Sequence, residues 1–455
     1  MDERATQGPW ELLSQIIAGG DRNHLASYLD TLSSKEKARA ISRLAPEDQS
    51  RLMLALDPPA AAVIVHEVPP TQAVHLIAGL PADAAAAILG EVRSDRQVDL
   101  LAQLGPEGAE GVIARMESSM AARVRRLLTY PAESAGGIMI TEYLAYPGDW
   151  LAQELVADLE SHRGDYADIS VQYMYVVDSA GRLEGVLRMR DLVFSPKTVR
   201  IADTMITDPL MVRAEQTLEE LQQFFERHPL LGVPVVDSDR RLLGIVRRVD
   251  VDHAAARRVN RQFLGLSGIV GGEEFRTMPF VTRSGRRLSW LTLNIVLNII
   301  AASVIAFYQD TLAAVIALAV FLPMISDMSG CSGNQAVAVS MRELALGLVR
   351  PNELVRVLGK EIAVGTLNGA VLGVLLGGVA LLWKGNIYLG LVVGAALAVN
   401  TVVAVCLGGL LPMVLKRLRL DPALVSGPVL TTVTDMCGFV LVLSLASALL
   451  PRLAG

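Results

Sequence analysis

Five apolar stretches crowd the last ~170 residues of this chain, at about 288–308, 311–329, 361–383, 387–415 and 428–450. Each is close to the ~20 residues that carry a helix across the ~30 Å hydrocarbon core of a bilayer. A lipid-embedded backbone must satisfy its own polar groups, so these stretches are expected to be helices. The first ~285 residues have the composition of soluble protein, and 455 residues suggest two or three domains. The fold class is therefore expected to be that of a multidomain membrane protein. The opening sequence, "MDERATQGPWELLSQ", lacks the basic-then-apolar order of a signal peptide. The soluble part is accordingly expected in the cytosol.

Charge between the stretches sets the orientation. Arg283, Arg286 and Arg287 precede the first; Arg342, Arg350, Arg356 and Lys360 follow the second; Lys416, Arg417 and Arg419 follow the fourth. The alternate loops hold Gln309, Asp310, Lys384 and, in the tail, Arg452. By the positive-inside rule the basic loops are cytosolic, which places the N-terminus inside the cell membrane and the C-terminus outside. Cys331, Cys406 and Cys437 all fall in this half with no CxxC pair, so neither a disulfide framework nor a zinc knuckle is indicated. A net charge of −6 with no basic tract does not suit nucleic acid.

Polar residues inside the stretches narrow the function. Asn294, Asn298 and Asn368 are expected to make interhelical hydrogen bonds. Asp435, within "TTVTDMCG", is different, because a carboxylate at membrane depth costs about 2.5 kcal/mol or more. No Lys, Arg or His lies in any of the five stretches to pair with it, which points to a mobile ion as its partner. Asp327 stands just before "GCSGNQ" (330–335), whose glycines and polar residues predict unwound backbone lining protein or water. Carbonyls there, with the Asn334 and Gln335 amides, are oxygen ligands suited to a hard cation.

The soluble region contains two repeats. Leu32, Leu44, Leu56, Val68, Leu80, Val92 and Leu104 recur every twelve residues, each followed by helix-start residues such as "APED" or "PPTQ". Short helices stacked as a small all-α superhelix are predicted over 1–130. Asp95 and Asp99, one turn apart, could share a cation. Further on, "MYVVDSAGRLEGVLRMRDL" (174–192) is echoed by "VPVVDSDRRLLGIVRRVDV" (233–251). Two such strand–helix–strand–strand units, 131–195 and 196–252, resemble an α/β tandem pair of CBS modules. CBS pairs often bind an adenine nucleotide such as ATP through the last Asp of "G-h-h-[ST]-x-x-D". Asp191 and Asp250 hold that position, with Arg190 beside the first. Arg188 and Arg247 replace the hydroxyl residue and could face a phosphate. A connecting helix and linker are predicted over 253–280, ahead of the membrane domain at 281–455.

This order of domains, with "YPAESAGGIMITEYLA", "PMISDMSGCSGNQ" and "LRLDPALVSGPVLTTVTDMCG", resembles the MgtE magnesium transporters over nearly the whole chain. The resemblance implies a homodimer in the lipid bilayer, with one pore lined by spans two and five. Asp435 from each copy would hold hydrated Mg²⁺, with Asp327, Asn334 and Gln335 nearby. It further implies cytosolic sensing of Mg²⁺ near Asp95, Asp99, Asp250 and Asp421. Three departures stand out: Cys331 for an Asn, Gly427 for another, and the basic "HAAARRVNRQ" where relatives are acidic. Weak Mg²⁺-dependent closure is expected from the last. Cys331, a softer ligand, admits broader transport of Mn²⁺, Co²⁺ or Zn²⁺ as an alternative. A CBS-bearing membrane receptor is a further alternative. An enzyme fits poorly, since no nucleophile–base grouping or metal-hydrolase motif is present.

Overall fold

The computed structural model describes residues 8–164, 166, 169, 172–266, 268–269, 280–345, 347–418, 420 and 422–453. It divides into two units, Met1–Arg258 and Val259–Gly455.

In the first unit the twelve-residue period is a helical period. Helices Ser34–Ile41, Pro46–Ala55, Pro58–Glu67, Pro70–Ala78, Ala82–Gly90 and Ser94–Ile113 each begin two residues after a repeat position. Pro46, Pro58 and Pro70 fill first-turn positions, where the missing N–H costs nothing. Ser33 and Glu36 form a capping box before the first of these helices. The seventh repeat position, Leu104, precedes a kink at Gly105 (φ 79°) and Pro106, so two helices run together within Ser94–Ile113. Leu44, Val68 and Val92 are buried and Leu56, Leu80 and Leu104 pack against the same core.

Two small sheets follow. In one, the order is Ala145–Pro147, Tyr173–Val177, Leu183–Arg188, Ile206–Thr207, with a parallel first pair and antiparallel pairs thereafter. In the other, Val212–Arg213 pairs parallel with Gly232–Val236, which pairs antiparallel with Leu242–Arg247. The repeated topology is the echo read in the sequence. Ile140, Tyr175, Leu183, Val186, Val236 and Ile245 form one buried cluster shared by both copies. Helix Arg248–Leu266 leaves the second sheet.

The second unit is helical. Its long members are Phe280–Phe307, Leu318–Ala345, Leu354–Lys384, Ile387–Arg417 and Pro422–Ala448. Four of the five contain segments long and apolar enough to cross a membrane: Arg283–Phe307, Leu354–Lys384, Ile387–Arg417 and Gly427–Ala448. Leu318–Ala345 has the length, 28 residues, but carries a polar stripe. The second stretch also starts later than its hydropathy suggested. A short helix, Gln309–Ala314, ends at Val315 and the long one begins at Leu318.

Small residues set the packing here. A Cβ on Gly373 would lie 2.6 Å from the Gly394 carbonyl oxygen, and one on Gly377 would lie 2.7 Å from that of Gly390. The Leu354–Lys384 and Ile387–Arg417 helices thus meet backbone to backbone, as small residues permit in membranes. Gly408 abuts the Gly333 carbonyl in the same way, fastening the Leu318–Ala345 helix to Ile387–Arg417.

Two expectations need correction. The segment 330–335 is helical, within one continuous 28-residue helix. Its polarity is sorted by face: Asp327, Cys331, Asn334 and Gln335 are exposed along one stripe. Ser329, Gly330, Ser332, Gly333 and Ala336 are buried on the other side. A helix can carry such a stripe without unwinding, because its backbone stays internally bonded. The Asn294 side chain, expected to bond between helices, donates instead to the Trp290 carbonyl of its own helix at 2.9 Å.

Candidate functional site

Asp435 sits within Pro422–Ala448, half-buried. Ser326 of the Leu318–Ala345 helix donates its hydroxyl to Asp435 Oδ1. Asn400, fully buried on Ile387–Arg417, donates from Nδ2 to the Thr434 carbonyl at 3.1 Å. Gly438 makes room for that amide, since a Cβ there would stand 2.8 Å from Asn400 Nδ2. One neighbouring helix thus bonds the carboxylate itself and another bonds the backbone beside it. The neighbouring hydroxyls are turned inward on their own helix: Thr432 Oγ1 donates to the Pro428 carbonyl at 2.8 Å, and Thr434 Oγ1 to that of Thr431 at 3.0 Å.

Asp327 follows Ser326 directly, and its exposed stripe continues through Cys331, Asn334 and Gln335. Met324 (40% exposed), Met328 (38%) and Val339 (52%) lie along the same helix, so acid, amide and apolar groups alternate on one open side. Asp435 contacts Ser326, the residue adjoining Asp327, while Asn334 and Gln335 lie two or more turns further along the same stripe. Ser326 escaped the sequence reading. A hydroxyl beside Asp327 gave no sign that it would turn toward a residue 109 positions away.

In the soluble unit, Asp95, Asp99 and Asp250 line one cavity of about 250 Å³. Arginines hold Asp250 and Asp95. Arg247 grips Asp250 through Nε at 2.7 Å and Nη2 at 2.6 Å, and Arg93 donates to Asp95 at 2.9 Å. The hydrogen bond to Asp250 raises the Arg247 pKa above its ordinary value. Asp191 repeats the arrangement in the first module. Arg188 Nε lies 2.5 Å from its carboxylate and Arg190 Nε 3.6 Å away, and the Arg188 hydrogen bond holds the carboxyl below its usual range. The arginines that replaced the hydroxyl residue therefore pair with the aspartate three positions on, in both copies. A separate cavity of about 310 Å³ lies between the modules, lined by Tyr173, Tyr175, Gly232, Arg247, Arg248 and Asp252 among others. Asp421 lies outside the described residues.

Sequence comparisons with known proteins agree with this layout. A family model described as MgtE, divalent cation transporter, matches residues 322–445; the MgtE intracellular N domain matches 32–133 and the CBS domain 201–257. The chain is 33% identical over 340 residues to the magnesium transporter MgtE of Bacillus subtilis, covering 74% of each protein. It is 33% identical to that of Thermus thermophilus over 330 residues, 72% of this chain and 73% of the relative. Among solved structures, the soluble part of a magnesium transporter aligns with 55% of this chain and 98% of its own, at 26% identity and a TM-score of 0.49.

Proposed function

On the premise that this chain belongs to the MgtE family of divalent cation transporters, we propose that it carries Mg²⁺ across the cell membrane through a pore formed by two copies. The observation that carries this proposal is Asp435, a half-buried carboxylate on an apolar helix, held by Ser326 and lacking any cation among the membrane stretches. Mg²⁺ dehydrates reluctantly and is commonly bound through one or two carboxylates plus waters. Two Asp435 side chains facing each other across a two-fold axis would hold a largely hydrated ion by its outer shell. Such a hold is favourable enough to enter and weak enough to leave. The open stripe of Asp327, Asn334 and Gln335 would face the same passage, since neither lipid nor the chain's own helices suit it. The family is one of transporters, not enzymes.

The basic loops support a cytosolic soluble unit and an external C-terminus. An adenine nucleotide acting on that unit would use the cleft between the modules, where Arg247 and Arg248 supply donors and Tyr173 an aromatic face. Asp191 and Asp250 would first have to give up Arg188 and Arg247 before holding a ribose.

Cys331 provides a test, being exposed on the stripe one turn from Asp327. A positively charged, water-soluble methanethiosulfonate reagent is expected to block Mg²⁺ uptake by the wild type and to spare Cys331→Ser. Equal inhibition of both would remove the stripe from the pore. The same cysteine favours a second possibility, wider use of Mn²⁺, Co²⁺ or Zn²⁺. Cys331→Asn should then sharpen preference for Mg²⁺; an unaltered preference counts against that role.

A further inference from the structure

The junction between the N-terminal helical array and the second CBS module is built around guanidinium groups. Asp250, 7% exposed, is gripped at two points by Arg247 and lies 3.5 Å from Arg93 Nη2. The same Arg93 nitrogen donates to Asp95 Oδ2 at 2.9 Å. One guanidinium thus bridges an aspartate of the Ser94–Ile113 helix to one of the Arg248–Leu266 helix, and Arg93 itself stands 157 positions from Asp250. Further hydrogen bonds flank it: Ser94 donates from N and Oγ to the Glu142 carboxylate at 3.1 and 2.9 Å, and Thr141 N donates to Ser94 Oγ at 2.9 Å.

Positive charge already outweighs negative among the residues lining this junction. The cavity that gathers Asp95, Asp99 and Asp250 is also lined by Arg93, Arg96, Arg247 and Arg257, four positive charges against three negative. A divalent cation reaching Asp250 would have to displace a two-point arginine fork, which presents fixed donors matched to a carboxylate. Among the described residues, no group of three His, Cys, Asp or Glu is placed to hold a metal ion. Side chains here are about one-tenth to one-third exposed, so solvent screens the pairs less than at an open surface.

We propose that Arg93 and Arg247 serve as built-in cations, closing the N-terminal array onto the second CBS module without a bound metal. What this means for Mg²⁺ transport, that closure at this junction does not follow cytosolic Mg²⁺, rests on the function proposed above. The junction itself does not, and it is what the experiment reads.

Hydrogen–deuterium exchange of the full chain in detergent follows the amides at the start of the Ser94–Ile113 helix. Protection in EDTA and in millimolar Mg²⁺ is expected to agree within about threefold, because the guanidinium groups do the bridging. Arg93→Gln should lower protection in EDTA on the order of tenfold, while Arg93→Lys, which keeps the charge, retains most of it. A rise beyond threefold on adding Mg²⁺ to the wild type overturns the proposal, and so does unchanged protection in Arg93→Gln. The wild-type comparison decides the matter even if the glutamine variant fails to fold. Loss of transport with an unchanged exchange pattern would count against the pore, not against this junction.

Discussion

Alanine in place of Asp435 is expected to cut selective Mg²⁺ uptake by about 100-fold or more, equivalent to ~2.7 kcal/mol, while leaving the protein folded. The size of the effect follows from the charge. A hydrated dication in a wet pore is held mainly by the field of the carboxylates around it, and two copies of the chain would lose two charges at once. The folded state has little to lose. Asp435 accepts a hydrogen bond from Ser326, worth ~1 kcal/mol, against an insertion cost of about 2.5 kcal/mol that alanine removes. Uptake of Mg²⁺ in cells, read beside the thermal melt of the purified variant, separates these effects. Asp435→Asn refines the result, for it keeps the shape and an oxygen for Ser326 but not the charge. Uptake by the asparagine variant equal to wild type would show that the charge is not what the ion meets.

Leucine at position 408 is expected to cost about 3 kcal/mol or more in stability and to abolish transport with it. A Cβ at Gly408 would run into the Gly333 carbonyl oxygen and stand 3.1 Å from Ala336 Cβ. Both obstacles lie on the Leu318–Ala345 helix, the one that carries Ser326, Asp327, Asn334 and Gln335. Backbone cannot swing aside as a flexible side chain can, so the two helices must part or the chain must fail to fold. Gly378→Ala is the matched control, since a Cβ there meets nothing within 4 Å and a helical Gly→Ala change favours the helix by up to ~1 kcal/mol. The thermal melt in detergent should fall by several degrees, or the folded protein disappear, for Gly408→Leu and should hold or rise for Gly378→Ala. Equal melts would mean that the close approach of these helices carries no weight.

Periodic features were legible in the sequence. Six of the seven twelve-residue phrases became helices beginning at the same offset, because the apolar position, the helix-start residues and the following acids all act locally. The paired strand motifs became paired sheets for the same reason. Asp435 could be singled out because a lone carboxylate in an apolar stretch is costly wherever it lies. Features that depend on a distant partner were hidden. The composition of 330–335 suggested a broken helix, yet which face each polar residue took was decided by packing against the Ile387–Arg417 helix. Nothing in the sequence marked out Arg93, since its bridge to Asp250 depends on how the array meets the second sheet. Ser326 and Asn400 act on Asp435 and on Thr434 beside it, and no spacing in the chain announces either contact.

The most direct measurement is Mg²⁺ flux into liposomes reconstituted with the purified wild-type chain alone, followed with an internal Mg²⁺-sensitive dye. Concentration-dependent influx well above that of protein-free liposomes, and reduced to near that background by Asp435→Ala at matched incorporation, is the expected result. Wild-type flux no greater than the protein-free background would contradict transport itself, and flux unchanged by Asp435→Ala would contradict the place assigned to the ion.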